Sequence, residues 1–365
     1  MVRAISVAFL LLVAMAAQAL AIPRYSARYG QDCNLCHHDP TGGGKRSAYA
    51  AQYLVPAEMS VVQWTDDDHI ERLDGQVTSG LSVGTDVRTL YHMSEDNSEQ
   101  NGFFQMQADF YALFEVDPKF SIYLDQGQSQ TREVFALGYV LPTSGHVKVG
   151  RFAPAYGWRF ADHTLYTREA LGFAPPANTD VGIGAGLYPG RAALEVSVTN
   201  GARGSGLDDD HRRAATARAM MRQSVGKLGL AVGGSYHYNK SNIRLDRMAG
   251  PFGYLQFGPV TWVAEADWHR LDLPGASGAD QLVVSQELTY ALRRGVDLRA
   301  TLDFHDPDID ETSGARSRYG IGIDSLVYPF LGIQAMVHVD SFEGGSLVNE
   351  DSERIRGSML FHFFY

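Results

Sequence analysis

The sequence has few cysteines and few charged residues, and after its first segment it has no long apolar run. Its 365 residues include 2 cysteines, and 20% of the residues are charged. The formal net charge of −11 argues against nucleic acid as a partner. Beyond residue 21, no stretch approaches the roughly 18 consecutive apolar residues of a membrane-spanning helix. These features exclude nucleic-acid-binding proteins and membrane proteins made of helices.

The first 21 residues have the pattern of a secretory signal peptide. Arg3 precedes the apolar run AISVAFLLLVAMAA, and Ala19 and Ala21 form an A-x-A cleavage site. A membrane anchor is the alternative, but the apolar run is short for a span and its small-residue exit favours cleavage. The sequence therefore predicts an exported chain that begins at Ile22.

The two cysteines belong to one short motif. Cys33, Cys36 and His37 form C-x-x-C-H, in which the thiols bond covalently to one haem and the histidine becomes an axial ligand of its iron. A thioredoxin-like motif would need a βαβ context, and a zinc site would need a second ligand pair. A structural disulfide would not require the histidine. Because haem is attached outside the cytoplasm, the export signal agrees with the motif, which predicts one covalent haem c.

The sequence offers more than one candidate for the second axial ligand of the iron. Met59 lies within reach further along the chain, although it could equally be a packing residue. His69 is the next candidate. His38 is adjacent to His37 and cannot reach the opposite face of the haem. A methionine ligand would raise the reduction potential of the haem, whereas a histidine would lower it.

Beyond residue 75 apolar and polar residues alternate, as they do in β-strands. The stretches FQMQADFYALFEV (104–116) and VDLRATLDF (296–304) each place their apolar residues on one face. In the first of these stretches Phe104, Met106 and Phe110 fall on the same face. Sixteen strands are predicted, near residues 76–92, 103–116, 120–128, 132–141, 146–157, 180–189, 192–201, 214–226, 228–241, 251–258, 260–273, 281–294, 296–306, 316–329, 333–343 and 353–365.

The connections between these strands alternate between short turns and long polar loops, with one exception at residues 129–131. Short turns at one rim and long loops at the other are typical of outer-membrane barrels, whose strand number is even. A soluble β-sandwich has no reason to follow this pattern. The aromatic C-terminal strand, ending at Tyr365, resembles the terminal signal of outer-membrane barrels. The fold is predicted to be all-β, a 16-stranded antiparallel outer-membrane β-barrel with both termini in the periplasm.

Three segments are therefore predicted: a signal peptide (1–21), a small N-terminal c-type haem-binding module (22–75) and the barrel (76–365). The module is marginal for an independent core, so the haem and the barrel lumen should supply its missing walls. The glycines of TGGGK (41–45) allow a sharp turn or a close approach to the cofactor. The loop at 158–179 is predicted to fold into the lumen.

An exported C-x-x-C-H module joined to a sixteen-strand barrel resembles the fused outer-membrane cytochrome–porins known from iron-oxidising bacteria. ARYGQDCNLCH (27–37) resembles their haem segment, and the specific resemblance covers about residues 22–40. It implies electron transport across the cell outer membrane through a single haem, with the barrel in contact with outer-membrane lipid. An extracellular redox donor or acceptor and a periplasmic carrier such as a cytochrome c would be the partners.

Iron(II) is a plausible donor, which would make the protein an electron-transfer oxidoreductase. Acidic loop residues could attract this cation, although solvated loop surfaces are the commoner explanation for such residues. They are Asp208, Asp209, Asp210, Asp306, Asp308, Asp310 and Glu311. The alternatives are a diffusion porin with a structural or sensory haem, and a barrel that docks a periplasmic multihaem cytochrome.

Overall fold

The computed structural model describes most of the chain that follows the predicted signal peptide, which itself lies outside the described residues. The description covers residues 23–365 except 31–32, 65–66, 97–100, 129–130, 161, 175–177, 205–207, 209, 243, 274, 276–277, 312 and 344–351.

Within these residues, a closed antiparallel β-barrel of sixteen strands forms the body of the protein, and a short seventeenth strand extends it. The strands are β1 (Gln76–Thr78), β2 (Leu81–Ser94), β3 (Gly102–Asp117), β4 (Phe120–Gly127), β5 (Thr131–Leu141), β6 (Gly145–Phe152), β7 (Asp180–Leu187), β8 (Ala192–Thr199), β9 (Ala214–Val225), β10 (Leu228–Lys240), β11 (Leu245–Phe257), β12 (Val260–Asp272), β13 (Ala279–Arg293), β14 (Val296–Asp306), β15 (Arg316–Tyr328), β16 (Leu331–Phe342) and β17 (Ser352–Phe364). Each of β2 to β17 pairs with its sequence neighbours, and β17 pairs with β2 to close the barrel.

The helices are short and belong to segments before or between the barrel strands. They are α1 (Pro23–Tyr29), α2 (Cys33–Cys36), the π-helix Tyr49–Met59, α3 (Asp67–Ile70) and α4 (Tyr166–Glu169). In the part of the chain that the structure describes, no helix is long and apolar enough to cross a membrane.

The predicted sixteen-strand barrel is confirmed, with corrections at three strands. β6 ends at Phe152 rather than near residue 157, and β11 begins at Leu245 rather than near residue 251. The third correction is at the start of the barrel. The sequence predicts a single strand over 76–92, but the turn at Ser79 and Gly80 divides it into β1 and β2. Gln76 then pairs back onto Ser82. Ser-Gly is a turn signal, and this one lies inside a run whose alternation continues on both sides. Short turns such as the one at Gly295 alternate with longer connections, as predicted.

The two faces of the barrel differ in polarity. The outer face exposes large apolar side chains such as Phe110, Val232 and Ile321, which are 49%, 61% and 69% exposed. An apolar exterior of this kind suits lipid hydrocarbon, where a closed barrel satisfies every backbone hydrogen bond. The inner face carries buried acidic side chains, for example Asp303 and Asp340.

The predicted face assignment is wrong at one end of β3. A β-bulge between Gln105 and Gln107 interrupts the alternation, because these residues pair with the adjacent residues Thr89 and Arg88 of β2. Met106 consequently lines a cavity in the lumen, whereas Phe110 remains on the outer face. An extra residue in one strand moves the side chains that precede it to the opposite face of the sheet. The pattern of apolar residues alone does not reveal such a bulge.

Residues 23–64, apart from 31–32, form a plug inside the rim that carries the short turns. Its π-helix packs Leu54, Val55 and Met59 against Leu326 and Phe364 of the wall. Just beyond this helix, the amides of residues 61 and 62 donate to the carbonyls of residues 326 and 327, near the β15–β16 turn. The plug is therefore attached to the wall by both apolar packing and backbone hydrogen bonds.

The connection between β6 and β7 folds into the lumen from the opposite rim, which confirms the prediction for the described part of residues 158–179. Trp158, Tyr166 and Leu171 are 4%, 3% and 1% exposed. We call residues 153–179 the inward loop; residues 161 and 175–177 within it are not described. The plug and the inward loop together fill the central part of the barrel.

Candidate functional site

The C-x-x-C-H motif forms one tight turn of the plug. Helix α2 spans Cys33–Cys36, and the amide of His37 donates to the carbonyl of Cys33 at 2.8 Å. This turn keeps both cysteines next to the imidazole. The chain then returns in a hairpin, because His37 and Arg46 form an antiparallel bridge.

Three glycines at the tip of this hairpin adopt backbone conformations that favour glycine. Gly42, Gly43 and Gly44 have φ angles of +94°, +79° and +63°. A Cβ atom on Gly42 would lie 3.3 Å from the Sγ atom of Cys33, and one on Gly44 would lie 2.0 Å from the hydroxyl of Tyr123. The run TGGGK therefore makes the sharp turn that the sequence predicts.

A cavity of about 280 Å³ lies between the plug and the barrel wall. Cys36, His37 and Met59 all line it, so the structure brings together three of the four predicted haem-binding residues. The fourth, Cys33, lines a neighbouring cavity of about 240 Å³ that His37 also borders. His37 thus stands between the two spaces, with one cysteine of the motif on each.

The other two histidines weighed as ligands do not line these cavities. The exposed ring of His69 packs against Trp64 with 5.2 Å between the ring centroids. The backbone amide of His38 donates to the carbonyl of Lys45 at 3.1 Å. Met59 is the better candidate of the original three because it shares the cavity with His37.

Three further histidines line the same cavity from the barrel wall, and sequence reasoning missed them. They are His92 on β2, His338 on β16 and His362 on β17. The Nε2 atom of His362 lies 3.0 Å from an oxygen of Asp86. The alternation of apolar and polar residues along each strand predicts that these histidines face inward. Which inward-facing residues lie close to the plug depends on how the barrel closes.

The environment of the motif suits a neutral imidazole. Burial lowers the pKa of His37 to about 4, and the charges of Arg46 and Arg159 act in the same direction. The buried Nδ1 atom of His37 makes no hydrogen bond of ordinary geometry within the described part of the chain. Burial also raises the pKa of the Cys36 thiol to about 11. A neutral imidazole is the form that binds metal ions, so the residues present fit a haem.

No group of three or more histidine, cysteine or acidic side chains is arranged to hold a metal ion among the described residues. A haem needs only one or two axial ligands from the protein, since its macrocycle supplies the others. His37 and Met59, which both line the cavity, are donor types that haem iron accepts as axial ligands.

A buried ionic network joins the plug, the wall and the inward loop. Asp39 is 0% exposed and lies 2.6 Å from Lys148 of β6 and 3.0 Å from Arg159 of the inward loop. Arg159 also contacts Glu133 of β5 at 2.8 Å. Burial disfavours the ionised form of Asp39, yet the two cations hold its pKa well below the usual range. The residue two positions after His37 thus fixes the motif to the barrel.

The inward loop is attached to the wall by its own polar contacts. Arg168 donates to Glu265 at 2.9 Å, and the hydroxyl of Tyr156 donates to Asp267 at 2.7 Å. Arg318 donates to the carbonyl of Thr164 at 2.8 Å. Phe160, Asp162 and Thr164 of this loop line the 280 Å³ cavity. The cavity is thus bounded by the loop as well as by the plug and the wall.

The acidic loop residues are engaged locally. Asp208 pairs with Arg213 at 2.8 Å. Asp306 accepts from the amide of Asp308, and Asp308 accepts from the amide of Asp310. Asp209 lies outside the described residues. These contacts are those of solvated loop turns.

Comparison with known proteins identifies the fold but no family. No family model and no curated protein matches the chain. Outer-membrane expressed OmpT of Vibrio cholerae is similar in structure, with a TM-score of 0.59 and 11% identity over 80% of this chain and 99% of that one. An anion-selective porin from Comamonas acidovorans gives a TM-score of 0.59 with 8% identity over 78% and 99% of the two chains.

Pseudomonas putida OprB gives a TM-score of 0.56 with 11% identity, covering 85% of this chain and 99% of its own. Each of these barrels is aligned over almost its whole length. The chain therefore has the closed 16-stranded antiparallel β-barrel fold of outer-membrane porins.

Proposed function

We propose that this porin-like outer-membrane barrel carries one haem c in its lumen and moves electrons between an extracellular donor or acceptor and a periplasmic carrier. Cys33 and Cys36 would hold the haem by thioether bonds, His37 would be its proximal ligand and Met59 its distal ligand. The observation that carries the proposal is the shared cavity. Cys36, His37 and Met59 all line one space enclosed by the plug, the wall and the inward loop.

The bound haem would supply an iron that alternates between the ferrous and ferric states. The protein's part is to hold and shield it. His37 offers a neutral imidazole because burial disfavours its protonation. Leu54, Val55 and Leu326 give the cavity an apolar side that would keep water away from a haem iron bound there. Such shielding and the choice of axial ligand are the means by which proteins adjust the potential of a haem.

The filled lumen supports electron transfer over solute diffusion. The inward loop enters from one rim and the plug from the other, and Arg159 of the loop contacts Asp39 of the plug at 3.0 Å. Side chains packed in this way narrow the route that a hydrated solute would take through the barrel. An electron needs only a cofactor at intermediate depth, and the motif lies in the region where the two segments meet.

A diffusion porin with a structural or sensory haem is the second candidate. The structural similarity to porins such as OprB and the anion-selective porin favours it. It differs from the first candidate in one measurable respect. A diffusion porin conducts ions in planar bilayers at the level of an open channel, whereas a plugged conduit conducts weakly and exchanges electrons with soluble carriers.

The decisive experiment begins with protein matured in a host that attaches haem c. A pyridine haemochrome assay should find one covalent haem per chain, and Cys33→Ala or Cys36→Ala should abolish it while the barrel still shows heat-modifiable gel migration. Anaerobic stopped-flow mixing with Fe(II) should then reduce the haem of the wild-type protein. Absence of covalent haem would refute the proposal. A haem that no donor reduces, in a barrel of high conductance, would favour the diffusion porin.

Recovery of the chain in the outer-membrane fraction tests its location separately. Complete recovery in the soluble periplasm would contradict the membrane barrel, whatever the haem content.

A further inference from the structure

Arginine side chains are unusually frequent around the 280 Å³ cavity, and all but one have an acidic partner. Among the described residues that line it, five arginines each lie 2.5 to 2.8 Å from a carboxylate oxygen. The pairs are Arg24–Asp324, Arg88–Asp86, Arg299–Glu287, Arg318–Asp303 and Arg356–Asp340.

Arg46 is the exception. Within the described ranges, no carboxylate lies within 4.0 Å of its guanidinium group. It donates instead to the carbonyl of Pro329 at 3.3 Å, and it lies over the ring of Phe364 with 3.5 Å to the centroid. Its backbone forms the bridge to His37, which places this cation next to the histidine of the motif.

A guanidinium group that borders a buried cavity is stabilised by an anion, most strongly by one that binds two of its donors at once. Each of the other cavity arginines has a carboxylate oxygen within 2.8 Å, and Arg46 does not. The cavity also contains the thiol and imidazole that would hold haem c, a cofactor that carries two propionate carboxylates. A propionate of the proposed haem is therefore the kind of anion that the guanidinium group of Arg46 lacks.

We propose that Arg46 binds a propionate carboxylate of the haem and sets its reduction potential. This inference rests on the proposed function, because the propionate belongs to the haem that Cys33 and Cys36 would hold. A neutralised propionate does less to stabilise the positive charge of ferric iron, so Arg46 keeps the potential high. A small anion from solution would offer the same carboxylate or phosphate chemistry, and the test has to separate these two sources.

The test uses haem-loaded protein with Arg46→Gln, which removes the charge, and Arg46→Lys, which keeps it. The control is Arg213→Gln, which removes one positive charge at a rim position whose side chain is 53% exposed. Covalent haem is measured first by the pyridine haemochrome assay. The midpoint potential is then measured by spectroelectrochemical titration over a range of pH and of acetate concentration.

Arg46→Gln should retain its haem but lower the equilibrium constant for reduction by roughly tenfold, the effect of about one charge in a site of intermediate dielectric constant. Its potential should also become dependent on pH near neutrality, because the propionate is no longer held ionised. Arg46→Lys should restore most of the potential, and Arg213→Gln should match the wild type.

The outcomes separate this proposal from the function on which it rests. Wild-type protein without covalent haem overturns both. Haem-loaded Arg46→Gln with an unchanged potential and pH profile overturns the propionate assignment alone. A wild-type potential that varies with acetate concentration assigns Arg46 to a soluble anion instead. If Arg46→Gln fails to fold, Arg46→Met removes the same charge with a side chain of similar reach. An unchanged potential and pH profile in that variant would also refute the assignment.

Discussion

Substitution of Asp39 by alanine should release the plug from the barrel. Asp39 is 0% exposed, and its removal leaves Lys148, whose side chain is 1% exposed, without a carboxylate partner. Breaking a buried ion pair in this way costs about 3–5 kcal/mol. Lys148 retains the hydroxyl of Thr41 at 3.1 Å and Arg159 retains Glu133, so the lower end of that range applies. A loss of about 3 kcal/mol shifts the docking equilibrium of the plug by roughly a hundredfold.

Two assays follow plug release in correctly folded barrels. Single-channel conductance in planar bilayers should rise, and trypsin should cleave after Lys45, which is 4% exposed in the docked plug. Asp208→Ala is the control, since its partner Arg213 is exposed and the pair contributes within about 1 kcal/mol. That variant should behave as the wild type in both assays.

A double variant tests the reasoning more sharply. Lys148 lies against the rings of Phe135 and Phe152, at 4.8 and 5.2 Å from their centroids, so a methionine there would be in apolar surroundings. Asp39→Ala with Lys148→Met removes the uncompensated charge and should recover much of the lost docking. The reasoning is refuted if Asp39→Ala alone keeps wild-type conductance and trypsin resistance while its heat-modifiable migration shows a folded barrel.

Four further predictions concern the ligand, the inward loop, the rim and pH. Met59→Leu should abolish a charge-transfer absorption band near 695 nm, roughly where methionine–iron ligation absorbs, and lower the haem potential; an unchanged spectrum would leave Met59 as a packing residue. Deletion of 162–172 should raise both channel conductance and the rate at which bulky extracellular reductants reduce the haem, and no change in either would exclude the loop from gating. Trypsin added to intact cells should cleave at the exposed Arg212 or Arg213, whereas cleavage only in lysed cells would contradict the predicted orientation. Burial and nearby arginines lower the pKa of His163 to about 3 from 6.5, so docking of the loop should be strongest above about pH 6.5 and weaken as the pH falls towards 3. Conductance should rise accordingly on acidification in the wild type but not in His163→Gln.

Most of the barrel could be predicted from the sequence because its signals are local. Alternation identifies a strand without knowledge of its neighbours, and the alternating lengths of the connections identify the two rims. The strand predictions are wrong where the alternation of apolar and polar residues conceals a turn or a β-bulge. The turn at Ser79 and Gly80 interrupts a continuous alternation, and the bulge at Met106 adds a residue without changing the composition of the strand.

The site was only half predictable for a related reason. Cys33, Cys36 and His37 form a contiguous motif, and Met59 lies on the same plug, so a reading of one short segment finds them. His92 reaches the cavity from β2 at the start of the barrel, whereas His338 and His362 reach it from β16 and β17 at its end. Their proximity depends on the pairing of β17 with β2 and on the depth of the plug, and neither is encoded within a single segment.

The charged side chains that line the barrel could either attract passing solutes or hold internal segments in place. Whether these side chains are paired with one another distinguishes the two uses. A water-filled pore leaves charged side chains free to meet solutes. Here Arg168 is paired with Glu265, Arg318 with Asp303 and Lys148 with Asp39, at 2.5 to 2.9 Å. Charges that neutralise one another in this way hold segments in place and exert little field on a passing ion. Two of these three pairs attach a segment inside the lumen, the inward loop through Arg168 and the plug through Asp39. The inner wall is thus suited to holding the plug and the inward loop in place more than to forming the surface of an open channel. A cofactor held at constant depth would require such an arrangement.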